Sequence, residues 1–229
     1  MKRRLVLFDI DGTLIRDDGA AREAYAEALA AVYGHVDSIR KFDFSGRTDP
    51  EITHMVLADG GFPEEVIERS LPELWKHYLD GLQRRVSADR IRVLPGVEQL
   101  LNELADRHDV LLAVLTGNIE GGARIKLAPH DLNRYFPFGA FGSDSRFRTE
   151  LPPIAIERAS EIDGHRFGGS DVVIIGDSIY DVRCGTPHFA TTIATASGVT
   201  PAELLKRESP TFFFDSLEDT EAVIKAILL

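Results

Sequence analysis

Two aspartates separated by one residue form the chemically most informative part of the sequence. Asp9 and Asp11 follow the short apolar run Leu5–Phe8, and Gly12 allows the backbone to turn away directly after them. A buried strand that delivers two carboxylates to a loop is costly unless positive charge lies nearby. One carboxylate can bond a substrate while both help to hold a hard divalent cation. The alternative is a solvated turn, in which Asp and Gly only satisfy local backbone geometry.

Two further polar segments also follow apolar runs. Thr116-Gly117-Asn118 comes after the run 110–115, and Gly176–Asp181, which contains Asp177, comes after the run 172–175. In parallel α/β sheets, ligands bind at the carboxyl ends of strands, best where the strand order reverses. If the first strand is central, three loops converge and bring together carboxylates, a hydroxyl and glycine-flanked amides. Polar segments at three strand ends favour one site over three unrelated turns.

The elements that must position these loops alternate along the chain. Apolar runs without polar alternation predict strands buried on both faces. Such runs occupy residues 5–8, 110–115, 138–141, 172–175, 191–194 and 212–214. Helical patterns separate the later runs, at residues 118–128, 153–162, 179–185, 201–208 and 217–228. This order predicts an α/β fold, with a Rossmann-like parallel sheet and helices on both of its faces.

The region between the first two strands of the sheet is helical in character. An alanine-rich helix is predicted over 20–33, and one or two helices over 64–85, the second starting at Pro72. Between them, Asp49-Pro50 is predicted to cap another helix. No strand is expected between residues 15 and 90. The prediction is therefore an inserted all-helical cap domain, residues 16–92, in a core formed by residues 1–15 and 93–229.

Composition limits the classes of function. The formal net charge of −11 argues against nucleic acid as a partner, because a basic face would be expected. A small anionic substrate is still possible, since a bound metal ion can make the electrostatic potential of the site positive despite the negative net charge. The single Cys184 excludes an internal disulfide, and no apolar segment is long enough for a membrane span. We expect a cytoplasmic protein without a membrane partner, with monomer and homodimer as open alternatives.

Three segments resemble motifs of one family. Asp9-Ile10-Asp11-Gly12-Thr13, Thr116-Gly117-Asn118 and Gly176-Asp177-Ser178-Ile179-Tyr180-Asp181 are similar to the first, second and fourth motifs of the haloacid dehalogenase-like hydrolase superfamily. The helical insertion resembles the phosphoglycolate phosphatase and β-phosphoglucomutase branch. The resemblance implies a five- or six-stranded parallel sheet, a mobile helical cap and bound Mg²⁺. It predicts a phosphatase that hydrolyses a small phosphate monoester through an aspartyl-phosphate.

The same resemblance implies roles for the carboxylates. Asp9 would be the nucleophile. Asp11 would protonate the leaving oxygen and then deprotonate the hydrolytic water. Asp9, Asp177 and the main-chain carbonyl of Asp11 would bind Mg²⁺. Asp181 would bind the metal through water or hold a basic partner in place.

Phosphate binding is implied for the second motif, whose Thr116 hydroxyl and Gly117 and Asn118 amides would bind phosphoryl oxygens. The family's third motif is a lysine, and this chain departs from it. Arg148 stands in the expected region, where no lysine occurs. Lys126, on the predicted helix after the second strand, is the alternative cation, although a solvated helix face is the simpler interpretation of it.

Arg47, in a loop before a cap helix, could bind a substrate carboxylate or second phosphate, or it could only brace Asp49. A phosphomutase is an alternative function, because Arg40, Lys41 and Arg47 could hold a second phosphate. A haloalkanoate dehalogenase is disfavoured, since it needs neither the second carboxylate nor a metal. A non-catalytic phospholigand-binding protein should lack the carboxylates that this chain has kept.

Overall fold

A six-stranded sheet forms the centre of the protein, which the computed structural model describes over residues 3–34 and 42–229. All of its neighbouring strands are parallel. In sheet order they are β5 (Gly139–Ala140), β4 (Val110–Leu115), β1 (Arg4–Phe8), β6 (Val172–Gly176), β7 (Thr191–Thr195) and β8 (Phe212–Phe214). Since β1 lies between β4 and β6, the strand order reverses at β1, as the converging loops require.

Helices cover both faces of the sheet. They are α4 (Val97–Ala105), α5 (Glu120–Leu127), α6 (Leu151–Asp163), α7 (Ile179–Gly185), α8 (Ala202–Arg207) and α9 (Thr220–Leu228). Along β1, Val6 and Phe8 belong to a buried cluster with Leu100 of α4, whereas Leu7 belongs to a second cluster with Ala155 of α6. Successive side chains of a strand point to opposite faces, so β1 is apolar throughout because both faces are buried. The predicted α/β class is confirmed.

Three helices between β1 and β4 pack around a hydrophobic cluster of their own. They are α1 (Ala20–Tyr33), α2 (Asp49–Asp59) and α3 (Glu64–Arg85). Tyr25, Val56 and Tyr78 are buried in this cluster, together with Ile119 from the β4–α5 loop. The division into a core (1–15 and 93–229) and a cap domain (16–92) stays a prediction. Among the described residues, no helix is both long and apolar enough to cross a membrane.

The expectation that residues 15–90 hold no strand is wrong. Strand β2 (Ile15–Asp17) pairs antiparallel with β3 (Ile91–Val93) where the chain leaves and re-enters the α/β core. A three-residue strand shows no periodicity, and its pairing partner lies far away in sequence. Both Ile15 and Ile91 are fully buried in the main core cluster, which holds the pair in place.

Of the one or two helices expected over residues 64–85 the structure shows one, so a second helix starting at Pro72 is wrong, as is the helix cap predicted at Asp49. Helix α3 runs unbroken through Pro72, whose exposed ring avoids the packed face while Leu74 and Tyr78 are buried on it. The packing of that face outweighs the one backbone hydrogen bond that proline removes. Helix α2 is capped by Thr48, whose hydroxyl accepts the Glu51 N–H at 3.1 Å, and not by Asp49. The Asp49 side chain therefore serves elsewhere.

Candidate active site

The carboxyl ends of β1, β4 and β6 meet at one cavity of about 400 Å³. Asp9 follows β1, Thr116 follows β4, and Asp177 follows β6, and all three line the cavity. The three helices close its other side, where the lining includes Arg47 and Tyr78. The predicted convergence of the loops thus occurs at the reversal of strand order, where α/β sheets bind ligands.

Three buried carboxylates form a cluster, and two of them, Asp9 and Asp177, line this cavity. One oxygen each of Asp9, Asp177 and Asp181 lies within 4.8 Å of the others. The pKa of Asp9 is raised to about 7, because burial and, less strongly, the negative charge of Asp181 outweigh the lowering effect of Arg148. Burial also raises the pKa of Asp177 well above its usual value, and the charges of Asp9 and Asp181 add to this effect. The cluster carries more negative charge than its surroundings balance.

The donor set fits a hard divalent metal ion. All three groups offer carboxylate oxygens, which such ions prefer, and one guanidinium balances only part of their charge. The backbone also approaches closely, because a Cβ on Gly12 would lie 2.5 Å from Asp177 Oδ2 and a Cβ on Gly198 only 1.6 Å from it. The glycines thus leave the Asp177 carboxylate room that any side chain would fill.

Asp181 is a member of the carboxylate cluster, although the sequence predicted it only beside the metal ligands. Its carboxylate accepts hydrogen bonds from Ser178 N at 2.9 Å and Ser178 Oγ at 2.6 Å, completing a capping box at the start of α7. It also accepts a hydrogen bond from Arg148. Asp181 thus holds the basic partner, which is one of its two predicted roles.

Arg148 lies beside the predicted nucleophile. Its Nη2 donates to Asp9 Oδ1 at 2.8 Å, to the Asp181 carboxylate, and to the Leu115 carbonyl at 3.3 Å. The side chain is 4% exposed, and its Nε–H has no acceptor among the described residues. One guanidinium therefore bridges Asp9 of the first motif and Asp181 of the fourth motif. A guanidinium, which is always charged, suits this bridging role.

Lys126 is buried as well, so its interpretation as a solvated helix residue is wrong. Its Nζ donates to Asp11 Oδ2 at 2.8 Å and to Asn118 Oδ1 at 2.6 Å. The two aspartates of the first motif therefore have separate cations, Arg148 for Asp9 and Lys126 for Asp11. The Asp11 side chain is 38% exposed, and its carboxylate lies outside the cluster of three.

The predicted phosphate-binding loop after β4 is compact and internally bonded. Thr116 Oγ1 accepts hydrogen bonds from Asn118 N at 3.2 Å and Asn118 Nδ2 at 2.8 Å. Asn118 Nδ2 also donates to Asp11 Oδ2 at 2.7 Å. A Cβ on Gly117 would lie 2.0 Å from the carbonyl oxygen of Arg47, so the loop needs glycine there.

Arg47 faces the cavity from the helical side. Its guanidinium pairs with Glu51 and lies 5.1 Å from the ring centre of Tyr180. Arg47 is thus paired with the first turn of α2 and lies over the Tyr180 ring of the fourth motif. Arg40 and Lys41, the other candidates for holding a second phosphate, lie outside the described residues.

Sequence reasoning missed two contributions to the site. Asp49, expected only to cap a helix, is half-buried in the cavity wall, and its Oδ2 accepts the Ile119 N–H at 2.8 Å. Desolvation raises its pKa to about 6 against the positive charge of Lys126. The loop after β7 also contributes, since Ser197 Oγ donates to the Gly12 carbonyl at 2.7 Å. No motif marks that loop, and an aspartate before a helix looks like an ordinary cap.

Comparison with known proteins agrees with this geometry. Residues 6–186 match the model of the family described as haloacid dehalogenase-like hydrolase. Phosphoglycolate phosphatase 1 of Pseudomonas aeruginosa is 27% identical over 224 residues, which cover 94% of this chain and 78% of that protein. The chain is therefore similar to a phosphatase over nearly its whole length.

Solved structures show the same fold. A protein named as a predicted phosphatase from Clostridium acetobutylicum superposes with a TM-score of 0.74 at 19% identity, covering 98% of this chain and all of that one (100%). β-Phosphoglucomutase from Clostridium difficile superposes with a TM-score of 0.74 at 17% identity, covering 100% and 98%. At such identities the likeness concerns the fold, and the reaction must be argued from the site.

Proposed function

Because this chain belongs to the haloacid dehalogenase-like hydrolase family and is a phosphatase, we propose that it hydrolyses a small phosphate monoester with Mg²⁺ through an aspartyl-phosphate on Asp9. One observation carries the proposal. The two aspartates of the first motif have different surroundings, Asp9 in a buried carboxylate cluster beside Arg148 and Asp11 half-exposed beside Lys126. Two carboxylates in different environments suit two different chemical roles.

In the first step, an Asp9 oxygen attacks phosphorus and the bond from phosphorus to the ester oxygen breaks. Asp11 donates its proton to the departing oxygen. The attack requires a charged nucleophile to approach an anion. Arg148 lowers the repulsion between them, since its Nη2 lies 2.8 Å from Asp9 Oδ1.

A bound Mg²⁺ would be held by Asp9, Asp177 and the Asp11 carbonyl, with Asp181 alongside, and would supply further positive charge at the transferring phosphoryl group. The raised pKa values of Asp9 and Asp177 support this set, because buried like-charged carboxylates ionise together only beside a cation.

In the second step, Asp11 accepts a proton from water, which attacks the phosphorus of the aspartyl-phosphate. The acyl phosphate bond breaks, Asp9 returns to a carboxylate, and inorganic phosphate leaves. Hydrogen bonds from Lys126 and Asn118 hold Asp11 in place. Its partial exposure gives it access to the water that this step consumes.

The other predicted residues serve binding. Thr116 and the amides of Gly117 and Asn118 bind phosphoryl oxygens, which the compact, preorganised loop favours. Arg47 binds a second anionic group of the substrate from the helical side of the cavity. The carboxylate of phosphoglycolate is such a second anionic group, since it lies next to the phosphate ester. The similarity to a phosphoglycolate phosphatase supports a substrate of this kind. We further expect a cytoplasmic location.

The proposal is tested by measuring phosphate release from sugar, nucleotide and small-acid phosphates, with Mg²⁺ and with EDTA. The Asp9→Asn variant is the control for contaminating phosphatases. We expect Mg²⁺-dependent release, fastest from a carboxylate-bearing ester. No release above the variant from any ester would refute the proposal, and undiminished release in EDTA would refute the metal's role.

Two alternatives give different outcomes in the same assay. A phosphomutase would transfer the phosphoryl group between positions of a sugar phosphate with little free phosphate. A non-catalytic phospholigand-binding protein would bind an ester without any turnover. A crystal grown with beryllofluoride should place that phosphate mimic on Asp9, which would locate the nucleophile independently of the substrate.

A further inference from the structure

The segment 44–49, here named the seam loop, rests on the backbone of the predicted phosphate-binding loop. The Asp49 N–H donates to the Gly117 carbonyl at 2.7 Å, and Asp49 Oδ2 accepts the Ile119 N–H at 2.8 Å. One residue of the helical side therefore bonds the phosphate-binding loop at two points that are two residues apart. A residue that only stabilises the start of its own helix needs neither of these two bonds.

The seam loop also contacts the loop that carries Arg148. Thr48 Oγ1 donates to the Arg146 carbonyl at 2.5 Å, two residues before Arg148. The carbonyl of Arg47 occupies the space that a side chain at Gly117 would fill. Neighbouring residues of one segment thus touch two loops of the α/β core, and both loops carry residues with proposed roles in catalysis.

Peptide geometry links these contacts to phosphate binding. The carbonyl of Gly117 and the N–H of Asn118 belong to one planar peptide unit and point in opposite directions. Because the Asp49 backbone N–H bonds the Gly117 carbonyl, the position of the Asp49 backbone sets the direction of the Asn118 amide, which points towards the Thr116 hydroxyl. Both of these groups are assigned to phosphoryl oxygens. The Asp49 side chain, which accepts the Ile119 N–H, holds that backbone against the loop.

We propose that Asp49 is a positioning residue, which holds the phosphate-binding loop in its binding shape and makes that shape depend on the seating of the seam loop. The inference rests on the proposed function, since it takes residues 116–118 to bind the phosphoryl group. The competing explanation is that Asp49 only stabilises the start of α2.

The experiment compares Asp49→Ala and Asp49→Asn with the unchanged protein. Both variants keep the backbone N–H that bonds the Gly117 carbonyl, so they test the side-chain bond that holds this backbone in place. Asparagine keeps an oxygen that can accept the Ile119 N–H, whereas alanine does not. For Asp49→Ala we expect KM for the best ester and the inhibition constant of inorganic phosphate to rise together, on the order of 10- to 100-fold, because misplacing binding groups by about 1 Å is that costly. Asp49→Asn should recover most of both.

The matched control is Asp219→Ala. Asp219 caps α9 by accepting the Ala222 N–H at 3.1 Å, in a different part of the fold. It should lower the melting temperature without changing either constant. If Asp49→Ala behaves like this control, with normal constants, Asp49 only stabilises a helix and the inference is wrong. If Asp49→Ala does not fold, Asp49→Ser, one bond shorter than aspartate, replaces it.

A separate readout distinguishes this inference from the proposed function. Binding of inorganic phosphate, followed by calorimetry with Mg²⁺ present, needs no turnover. If the unchanged protein hydrolyses no ester, the proposed function fails. The affinities of the unchanged protein and the two Asp49 variants for phosphate still decide the inference. Equal affinities in all three would overturn it.

Discussion

The two sides of the cavity are built in different ways. On the sheet side, side chains at strand ends bond one another and are buried, and Arg148 is 4% exposed. On the helical side, the seam loop contacts the core through both backbone and side-chain atoms, and its Arg47 side chain is 25% exposed. Rigid strand ends hold groups at fixed distances, as bond-making chemistry requires, whereas a loop presents its side chains to the substrate from a segment that tolerates more variation.

The positively charged side chains of the two sides also differ in burial and in bonding. Arg148 and Lys126 are bonded to the aspartates that the proposed mechanism uses, and both are buried. Arg47 pairs with Glu51 near the surface, where water screens the charges. Substitutions on the sheet side should therefore affect turnover and folding, and those on the helical side should affect substrate preference.

The largest expected effect comes from Asp9→Asn. Removing the nucleophile should lower kcat by about 10⁴-fold or more, because no other group can form the intermediate. Steady-state phosphate release measures the loss, and circular dichroism checks that the variant is folded. Asp219→Asn, a change of the same type far from the site, should keep full activity. If the variant kept more than about a tenth of wild-type kcat, Asp9 would not be the nucleophile, and the chemistry could not be assigned to the sheet side through it.

Replacing Arg148 should damage both folding and turnover. Arg148→Ala leaves the buried Asp9 and Asp181 without their cation and should lower the free energy of unfolding by about 3–5 kcal/mol, measured by urea denaturation. Arg148→Lys keeps the charge but not the planar guanidinium group. Its free energy of unfolding should lie between those of the alanine variant and the wild type.

The control for Arg148 is Arg134→Ala, which removes an exposed pair with Asp131 and should cost about 1 kcal/mol or less. Equal losses in the two alanine variants would show that burial does not separate the sheet-side cations from surface ones.

Lys126→Met tests the second cation. It keeps the apolar stem but removes the hydrogen bond to Asp11, so kcat should fall by about 10- to 100-fold with little change in KM. Lys206→Met, at an exposed lysine of α8, should change neither constant. A rise in KM alone would assign Lys126 to substrate binding instead of to Asp11.

Arg47→Ala sharpens the other half of the comparison. KM for a carboxylate-bearing ester should rise about tenfold, the loss of one charge-assisted contact, while hydrolysis of an aryl phosphate without a second anionic group changes little. Arg69→Ala, at an exposed arginine of α3, removes the same charge away from the cavity. If Arg47→Ala raised KM equally for both esters, Arg47 would not determine substrate preference.

The smallest effect concerns stability and pH. Asp9 has an ordinary pKa of 3.8 when unfolded and about 7 in the metal-free fold, so between these values the folded state binds more protons. The free energy of unfolding of the metal-free protein should therefore fall as pH rises through this range. Mg²⁺ binds the ionised carboxylates, so its gain in melting temperature should be larger at pH 8 than at pH 6. Asp9→Asn should reduce that pH dependence, and an unchanged dependence would contradict the assignment.

Much of the sheet side could be predicted because its signals are local. A strand buried on both faces is apolar throughout, and the residues that follow it mark its carboxyl end. The bounds predicted for β4 (Val110–Leu115) and β8 (Phe212–Phe214) agree with the structure. Asp9, Thr116 and Asp177 each follow their strands directly, so adjacency in sequence was enough to assign them to one edge of the sheet.

The remaining features depend on partners far away in the chain. Lys126 looked solvated because nothing near it in sequence shows that Asp11 faces it across the fold. The carboxylate of Asp49 finds its partner, the Ile119 amide, only when α2 meets the loop after β4. The sequence alone therefore determined the fold class and the strand-end groups, since these follow from local patterns of burial. Only the tertiary structure decided which cation serves which aspartate and what Asp49 bonds, because those pairings form when distant segments exclude water between them.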